Sequence, residues 1–291
     1  MGDLSMKARV CVLGARGMIG RHLVQSFAAE DSSPCREELD LYQVPALAAY
    51  LKEKGVDLVV NAVGASGAAQ WRSLYEVNSF VARHVAQACA MAGTGLVYLS
   101  SARVYNGKTP DAPDEDTLPA PRDDYGLSKF LGERFSQMCG ASPVWILRLP
   151  MVLGPRLEKP DRQVVTRLLQ RALQGQATAA AVDVFTQVVH VSDVARAVQS
   201  LVRTKASAGC YHLTSKDSAS LHEIVSRVFS GLELNLPRPA KSVEFNDAEP
   251  GPSHLVLAAG RLSALCPQRS WCEAVDTYLE DLQREQAWTK I

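Results

Sequence analysis

The chain has 291 residues, of which 47% are hydrophobic and 21% are charged, and this composition excludes a disordered or fibrous protein. Its 31 lysines and arginines balance 31 aspartates and glutamates, so the formal net charge is +0. Proteins that bind nucleic acid or anionic membranes usually carry a surplus of basic residues, and we therefore expect neither partner.

The first half of the chain alternates short apolar segments with amphipathic ones. A predicted strand at 10–13 leads through a glycine-rich turn into a helix in which Ile19, Leu23 and Phe27 recur every four residues. Three similar pairs follow: a helix at 44–54 with a strand at 56–60, a helix at 77–91 with a strand at 96–99, and a helix at 125–138 with a strand at 144–149. This alternation predicts an α/β fold with a doubly wound parallel sheet of the Rossmann type.

The second half is less regular. Residues 103–124 are rich in proline, aspartate and glycine, which is typical of a long polar loop, and helices are predicted at 163–173, 192–202 and 270–286 with a strand at 188–191. We predict that residues 1–150 plus about 180–205 form a dinucleotide-binding domain. The remaining segments, about 151–179 and 206–291, would form a smaller carboxyl-terminal substrate lobe.

Three glycines follow the first predicted strand at G-x-x-G-x-x-G spacing, and a helix begins among them. Gly14, Gly17 and Gly20 let the backbone turn tightly and approach a pyrophosphate, while the helix N-terminus, with Met18 and Ile19, supplies unpaired N–H groups and a positive dipole. The strand before and the helix after favour a dinucleotide-binding turn over an ordinary tight turn.

The residue that distinguishes NAD from NADP normally ends the second strand, where an acidic side chain accepts from the ribose 2′-hydroxyl or an arginine binds the 2′-phosphate. No clear strand ends there in this sequence, and the segment offers Arg36 and Asp40 as rivals. Arg16, inside the glycine turn, adds positive charge on the adenosine side. We favour NADP(H) over NAD(H), with solvated surface arginines as the alternative interpretation.

Tyr125 and Lys129 stand four residues apart at the start of a predicted helix, so both side chains project from one face. A phenol is a poor acid–base catalyst at neutral pH, but a neighbouring ammonium and an oxidised nicotinamide both favour its ionised form. Ser101 follows the strand at 96–99, at the carboxyl edge of the sheet, where its hydroxyl could hold the same substrate oxygen. The three residues are candidates for a proton-transfer site.

Taken in order, these motifs resemble a known family. Their order is that of extended short-chain dehydrogenase/reductases. It runs from the glycine turn to the segment LVVNAVG, the asparagine of VNSFVARHVAQACA, the serines of VYLSSARVYNG and the Tyr-x-x-x-Lys of YGLSKFLGE. The chain is most similar to the dTDP-4-dehydrorhamnose reductase group, to which the methionine adenosyltransferase regulatory β subunit is also similar. The resemblance covers essentially the whole chain.

The resemblance implies hydride transfer from a nicotinamide to a carbonyl. In this assignment Tyr125 donates the proton, Lys129 binds the nicotinamide ribose and lowers the pKa of Tyr125, Ser101 orients the carbonyl, and Asn78 supports the active site. The remaining residues that the resemblance places against the cofactor lie in LVVNAVG and at the ends of two strands: Asn61, Ala62, Val63, Gly64, Leu99, Arg148 and Leu149.

We therefore expect an NADP(H)-dependent reductase that acts on a ketone of a sugar-like substrate, nucleotide-linked in related enzymes. An epimerase that retains NAD and a non-catalytic, cofactor-binding regulatory subunit both stay open as alternatives. Ala102 follows Ser101 where sugar dehydratases of this superfamily carry an acidic residue, and this disfavours dehydration.

The seven cysteines are scattered and never spaced as Cys-x-x-Cys, so neither a disulfide framework nor a metal site is expected. Reduced thiols fit a cytoplasmic protein. No apolar run approaches the length of a membrane span of about 20 residues. A homodimer is one possible assembly.

Overall fold

The computed structural model describes residues 8–35, 37–65, 70–105, 111–155, 163–245 and 254–284. The strands are β1 Val10–Leu13, β2 Leu58–Asn61, β3 Gly95–Ser101, β4 Val144–Leu149, β5 Met151–Leu153, β6 Ala179–Ala181, β7 Phe185–Thr186, β8 Val188–His190, β9 Gly209–His212, β10 Ala219–Ser220, β11 Arg238–Ala240 and β12 His254–Leu255. The helices are α1 Met18–Phe27, α2 Val44–Glu53, α3 Trp71–Tyr75, α4 Val81–Ala92, α5 Asp124–Met138, α6 Val164–Leu173, α7 Val191–Arg203, α8 Leu221–Gly231 and α9 Trp271–Arg284.

The central sheet has five strands in the order β1-β2-β3-β4-β9, and every neighbouring pair is parallel. Its two faces carry separate apolar clusters, because alternate residues of a strand point to opposite sides. Val10 and Val12 pack on the face covered by α1 and α7, whereas Cys11 and Leu13 pack on the face covered by α2 and α4. The doubly wound, Rossmann-like fold expected from the sequence is confirmed.

The outer edge of β1 is covered by side chains. After α1, residues Glu30–Ser32 form a short 3₁₀ turn. The hydroxyl of Ser32 donates to the Val10 carbonyl at 2.6 Å, and the Val12 N–H donates to the hydroxyl of Ser33 at 2.9 Å. These bonds occupy main-chain groups that a neighbouring strand would otherwise pair. Among the described residues between α1 and α2 there is no strand. The strand end that usually carries the residue distinguishing NAD from NADP is therefore missing from this part of the chain.

Of the late strands, β9 and not β8 joins the central sheet. Strand β8, inside the predicted range 180–205, pairs with β5 instead. The fifth strand of the central sheet is β9, which lies beyond that range and pairs with β4 through residues such as Leu147 and Tyr211. Helix α7 does pack on the central sheet, since Val194, Val198 and Leu201 belong to the same apolar cluster as Val12.

Helices α6, α8 and α9 surround a further apolar cluster that includes Leu169, Phe229 and Tyr278. Two small sheets accompany them, one of order β10-β7-β12 and one of order β11-β6. Two-lobed organisation with the ranges given above stays a prediction, but this cluster shows that the carboxyl-terminal helices have apolar packing of their own.

Within the described ranges, none of the helices combines the length and the apolar character that crossing a membrane requires. All seven cysteines fall in those ranges, and each is a free thiol.

Candidate active site

The glycine turn between β1 and α1 is packed too closely for side chains. Gly14 has φ +86°, and a Cβ built on it would lie 2.9 Å from the main chain of Ala62 and Val63. The Gly14 carbonyl accepts from the Gly17 N–H at 2.9 Å, and a Cβ on Gly20 would overlap that same carbonyl oxygen. The turn therefore needs glycine at both ends, which leaves its main chain accessible to a ligand.

Helix α1 begins at this turn without a side-chain cap: its N-cap residue is Gly17, and no side chain bonds to its first N–H groups. The N–H groups of Met18 and Ile19 in the first turn therefore have no side-chain cap, and the positive end of the helix dipole lies at the glycine turn. This arrangement fits the pyrophosphate of a dinucleotide.

The predicted adenosine side of the turn carries a mixed set of charges. Arg16 Nη1 pairs with Glu37 Oε1 at 2.9 Å, and both side chains are largely exposed. Hydrogen bonds from Cys35 and its own main chain, together with Arg16, lower the pKa of the Glu37 carboxyl. Asp40 is exposed and accepts from the Tyr42 N–H at 3.0 Å. Arg36, the other predicted candidate, lies outside the described residues.

Asn78 connects the segment after β2 with helix α5. Its side chain is fully buried, accepts from the Ala65 N–H at 2.9 Å, and donates to the Ala65 carbonyl and to the Ser128 hydroxyl at 3.1 and 3.0 Å. The side chain of Asn61 accepts from the Val63 N–H at 3.1 Å. These bonds fix the path of residues 61–65, including Ala62 and Gly64, beside the glycine turn.

Asn78 lies in a π-helical segment, Glu76–Phe80, between α3 and α4. Such segments are rare and often occur at functional sites, because they redirect side chains within a helix. The Asn78 carbonyl accepts from the hydroxyl of Tyr98 at 2.8 Å, and Gly132 of α5 packs against both groups so closely that a Cβ would overlap them. Helix α5 is thereby held close to β3.

Ser101 and Tyr125 meet at the carboxyl end of β3. The Ser101 hydroxyl caps the following 3₁₀ turn by accepting from the Arg103 N–H at 3.2 Å, and it lies near enough to the Tyr125 phenol to act on the pKa of that group. Burial raises the pKa of Tyr125, while the Ser101 hydroxyl and then Arg103 lower it.

Lys129 lies one helical turn beyond Tyr125 and is 95% buried. Its Nζ donates to the Leu99 carbonyl at 2.5 Å and lies 4.5 Å from the centroid of the Tyr98 ring. Burial lowers the pKa of Lys129 to about 8, against a smaller raising effect of Glu133. The ammonium is therefore beside the end of β3 but bonded to its main chain.

A second cation faces Tyr125, and sequence reasoning missed it. The Arg103 guanidinium lies 5.6 Å from the centroid of the Tyr125 ring and forms an ion pair with Asp123. The charge of Arg103 lowers the pKa of Tyr125. The lowering of that pKa by Lys129, which the resemblance implies, stays a prediction. The only signal for Arg103 in the sequence was its position two residues after Ser101.

Arg148 and Leu149, predicted against the cofactor, end strand β4, where Leu149 is opposite Ser101 in the register. The Arg148 guanidinium is directed to other groups: it pairs with Glu133 through Nη2 to Oε2 at 2.8 Å and bonds to the hydroxyl of Tyr105. Burial lowers the pKa of Arg148, but the hydrogen bonds and charge of Glu133 outweigh burial, so the pKa of Arg148 is raised above its usual value.

A small cavity of about 90 Å³ adjoins the end of β3. Ala102 and Tyr105 line it from the turn after Ser101, and the segment 254–257 lines it from the carboxyl-terminal part of the chain; the exposed Leu118 lies at its rim. Ser101, Tyr125 and Lys129 thus lie at one edge of the central sheet. The glycine turn follows β1 at the same edge, and the cavity is open toward the polar loop.

Comparison with known proteins gives the family. The model of the RmlD substrate binding domain matches residues 8–284. A Streptomyces antibioticus protein named probable dTDP-4,6-dihydroxy-2-methyloxan-3-one 4-ketoreductase is 27% identical over 288 residues, covering 94% of this chain and 95% of its own. Methionine adenosyltransferase 2 subunit beta of Pongo abelii is 25% identical over 256 residues, covering 78% and 72%.

Among solved structures, dTDP-4-dehydrorhamnose reductase of Bacillus anthracis in complex with NADP superposes with a TM-score of 0.83 at 24% identity, covering 94% of this chain and 99% of its own. That likeness shows the same fold. Because the family match extends over nearly the whole length, the chain belongs to the RmlD substrate binding domain family of extended short-chain dehydrogenase/reductases.

Proposed function

We propose that the protein reduces a ketone on a nucleotide-linked sugar with NADPH, using Ser101, Tyr125 and Lys129. The observation that carries the proposal is the position of the Tyr125 phenol near the Ser101 hydroxyl at the carboxyl end of β3, with Lys129 one turn further along α5. Ligands of doubly wound sheets bind at this edge, and two hydroxyls there can hold one carbonyl oxygen.

The residues divide the work as follows. The Ser101 hydroxyl orients the substrate oxygen, and the Tyr125 phenol donates the proton that this oxygen takes up on reduction. Lys129, released from the Leu99 carbonyl, binds the nicotinamide ribose, and Asn78 holds the segment that ends at Ala65. Bound NADPH supplies the hydride to the carbonyl carbon. Burial keeps Tyr125 protonated at neutral pH, as a proton donor requires.

The choice of NADP(H) is supported by charge near the adenosine side. The glycine turn and the uncapped α1 receive the pyrophosphate, and Arg16 is the described cation placed to bind a 2′-phosphate. In the structure Arg16 is paired with Glu37, which must yield to the phosphate. Arg16→Ala should weaken NADPH binding more than NADH binding, whereas Glu37→Gln should strengthen NADPH binding. Equal effects on both cofactors would contradict this assignment.

The substrate class is supported by the relatives. One is named as a ketoreductase of a dTDP-linked compound, and the B. anthracis protein is a dTDP-4-dehydrorhamnose reductase. Ala102, directly after Ser101, places no carboxyl group beside the substrate, which suits reduction without dehydration. A cavity of about 90 Å³ adjoins Ala102 and Tyr105, in the segment that follows Ser101.

The test is NADPH oxidation with a panel of dTDP- and UDP-linked 4-keto sugars. Tyr125→Phe should lower kcat by 10²-fold or more, of the order expected for losing a general acid, with little change in NADPH affinity. Tyr75→Phe is the matched control, because Tyr75 bonds to Asp124 next to the site but offers no proton to the substrate. Turnover of Tyr125→Phe at the wild-type rate would contradict the proposal.

The similarity to methionine adenosyltransferase 2 subunit beta favours a second candidate, a regulatory subunit that binds the cofactor without turnover. If this is correct, a partner enzyme should change its kinetics on binding the protein, and Tyr125→Phe should leave that effect intact. Under the first proposal, by contrast, Tyr125→Phe should abolish the activity of the protein.

We also propose a homodimer formed through α4 and α5. Phe80, directly before α4, is 45% exposed and stacks on Phe135 of α5, and Leu127 and Met138 of α5 are 39 and 74% exposed. An apolar helix face of this kind suits a second copy of the same helices. Leu127→Glu combined with Met138→Glu should convert a dimer to a monomer in light scattering; a monomeric wild type would refute the assembly.

A further inference from the structure

The turn after Ser101 places a fixed cation on the face of Tyr125. The guanidinium of Arg103 lies 5.6 Å from the centroid of the Tyr125 ring, and Asp123 holds it in an ion pair. Asp123 is itself fixed, since it is the N-cap of α5 and accepts from the Gly126 N–H at 2.7 Å. The position of Arg103 is therefore determined at both ends, by the Ser101 turn and by the start of α5.

The close approach of these two elements is built into the backbone. A Cβ on Gly126 would overlap the Arg103 carbonyl oxygen, so glycine at this position lets the first turn of α5 lie directly on the turn that carries Arg103. Tyr125, adjacent to Gly126, is thus held under the arginine. Side chains of Arg103 and Asp123 are 38 and 33% exposed, so solvent moderates the ion pair without removing it.

The other cation near Tyr125 is less suited to a permanent electrostatic role. Lys129 bonds to the Leu99 carbonyl and faces the ring of Tyr98. Because burial lowers its pKa to about 8, a fraction of Lys129 is neutral in mildly alkaline solution. A guanidinium stays charged at every pH where the protein is folded.

We propose that Arg103 is a positioning residue for proton transfer: anchored by Asp123, its guanidinium supplies the permanent positive charge that faces the phenol of Tyr125. The proposal rests on the proposed function only in taking Tyr125 as the proton donor. The charge of Arg103 lowers the pKa of Tyr125, against burial, which raises it. Asp123 also raises the pKa of Tyr125. Arg103, Asp123 and Tyr98 interact electrostatically with the phenol. Asp124 and Lys129 belong to the same helix, and Tyr75 of α3 donates to Asp124.

The experiment titrates Tyr125 directly. Protein labelled with ¹³C at the tyrosine ζ carbon is followed by NMR from about pH 8 to about pH 11.5, with Tyr125→Phe identifying the resonance and circular dichroism confirming the fold. Arg103→Met should raise the pKa of Tyr125 by about half a unit, Arg103→Lys should restore most of the wild-type value, and Arg122→Met, which removes an exposed arginine from the same loop, should leave it unchanged.

A Tyr125 pKa in Arg103→Met within about 0.1 unit of wild type, or an equal rise in Arg122→Met, would overturn the proposal. In the reductase assay the alkaline limb of kcat/KM should move to higher pH in Arg103→Met, because a donor with a higher pKa stays protonated longer. A shifted NMR titration without ketone reduction would refute the proposed function and leave the electrostatic effect of Arg103 on Tyr125 standing, so the two failures are distinguishable.

Discussion

Glu133 of α5 and Arg148 of β4 form a bidentate ion pair inside the protein, with Nε to Oε1 at 3.0 Å and Nη2 to Oε2 at 2.8 Å. Both residues are almost fully buried. The Ser100 hydroxyl donates to Glu133 at 2.5 Å, and Arg148 also bonds to the hydroxyl of Tyr105. The pair therefore joins α5 to two strands directly behind Ser101, and it holds the helix that carries Tyr125 and Lys129.

Breaking this pair should be costly. Glu133→Ala leaves the Arg148 guanidinium buried without its counter-ion, and we expect a loss of roughly 3 to 5 kcal/mol in the free energy of unfolding. Arg148→Met added to Glu133→Ala should recover part of that loss, because no uncompensated charge then remains. Urea denaturation of the two single variants and the double variant measures the coupling; additive losses would contradict it.

Close packing of α5 gives a second prediction. A Cβ on Gly132 would overlap the Asn78 carbonyl and the Tyr98 hydroxyl, so Gly132→Ala should shift the helix and lower both stability and kcat, despite the higher helix propensity of alanine. Ser136→Ala, one turn along the same helix, is the control. The Ser136 hydroxyl is buried and has no hydrogen-bond partner among the described residues, so its removal should be neutral or stabilising. Equal stability of the two variants would show that α5 tolerates the methyl group.

Two buried histidines predict a loss of stability in acid. His190 caps α7 and faces Asp281 at 3.2 Å, and His212 bonds to the Tyr105 hydroxyl at 3.1 Å. Burial lowers the pKa of each from 6.5 to about 4. Between these values the unfolded chain binds protons that the folded protein excludes, so the stability present above pH 6.5 declines as the pH falls toward 4.

The slope should be roughly 1.4 kcal/mol per pH unit for each histidine within that window. Thermal unfolding of the wild type, His212→Gln and His222→Gln at a series of pH values measures it. His212→Gln should flatten the decline, whereas His222→Gln should keep it, since His222 is only partly buried. A wild-type stability independent of pH in this range would contradict the burial argument.

The glycine turn gives the fourth prediction. In Gly20→Ala the new methyl group would overlap the Gly14 carbonyl, so the turn must open and the stabilisation of the protein by NADPH in thermal shift should largely disappear. Gly175→Ala controls for general destabilisation. Gly175 has φ +72°, but a Cβ built on it would meet no atom within 4 Å, so the variant should lose some stability and keep the NADPH-dependent shift. Loss of that shift in both variants would remove the assignment of the turn as the cofactor site.

Much of the fold could be predicted because it depends on neighbours in sequence. Helix α1 follows from Ile19, Leu23 and Phe27 at four-residue spacing, and β1 and β4 were predicted with the bounds that the structure has. The Tyr125 and Lys129 pair follows from helical geometry in the same way. At the NADP-determining position the sequence was unclear, since no strand ending in an acidic residue could be identified there.

Other features depend on residues far apart in the chain. Segments 188–191 and 209–212 both have the composition of a short strand, and only the pairing of β9 with β4 decides which one extends the central sheet. Arg148 was predicted as a cofactor contact from its place at the end of β4. Its guanidinium meets Glu133 because α5 crosses behind that strand, and a cofactor contact by Arg148 stays a prediction.

The sequence by itself determined the strand and helix periodicities, the glycine turn and the order of the motifs, because each is written in local spacing. Only the tertiary structure decided which charges face the phenol. Arg103 stands in a loop whose polar composition has no periodicity, and the contact of its guanidinium with Tyr125 arises from the packing of α5 against the end of β3, where electrostatic interactions depend on distance in space and burial.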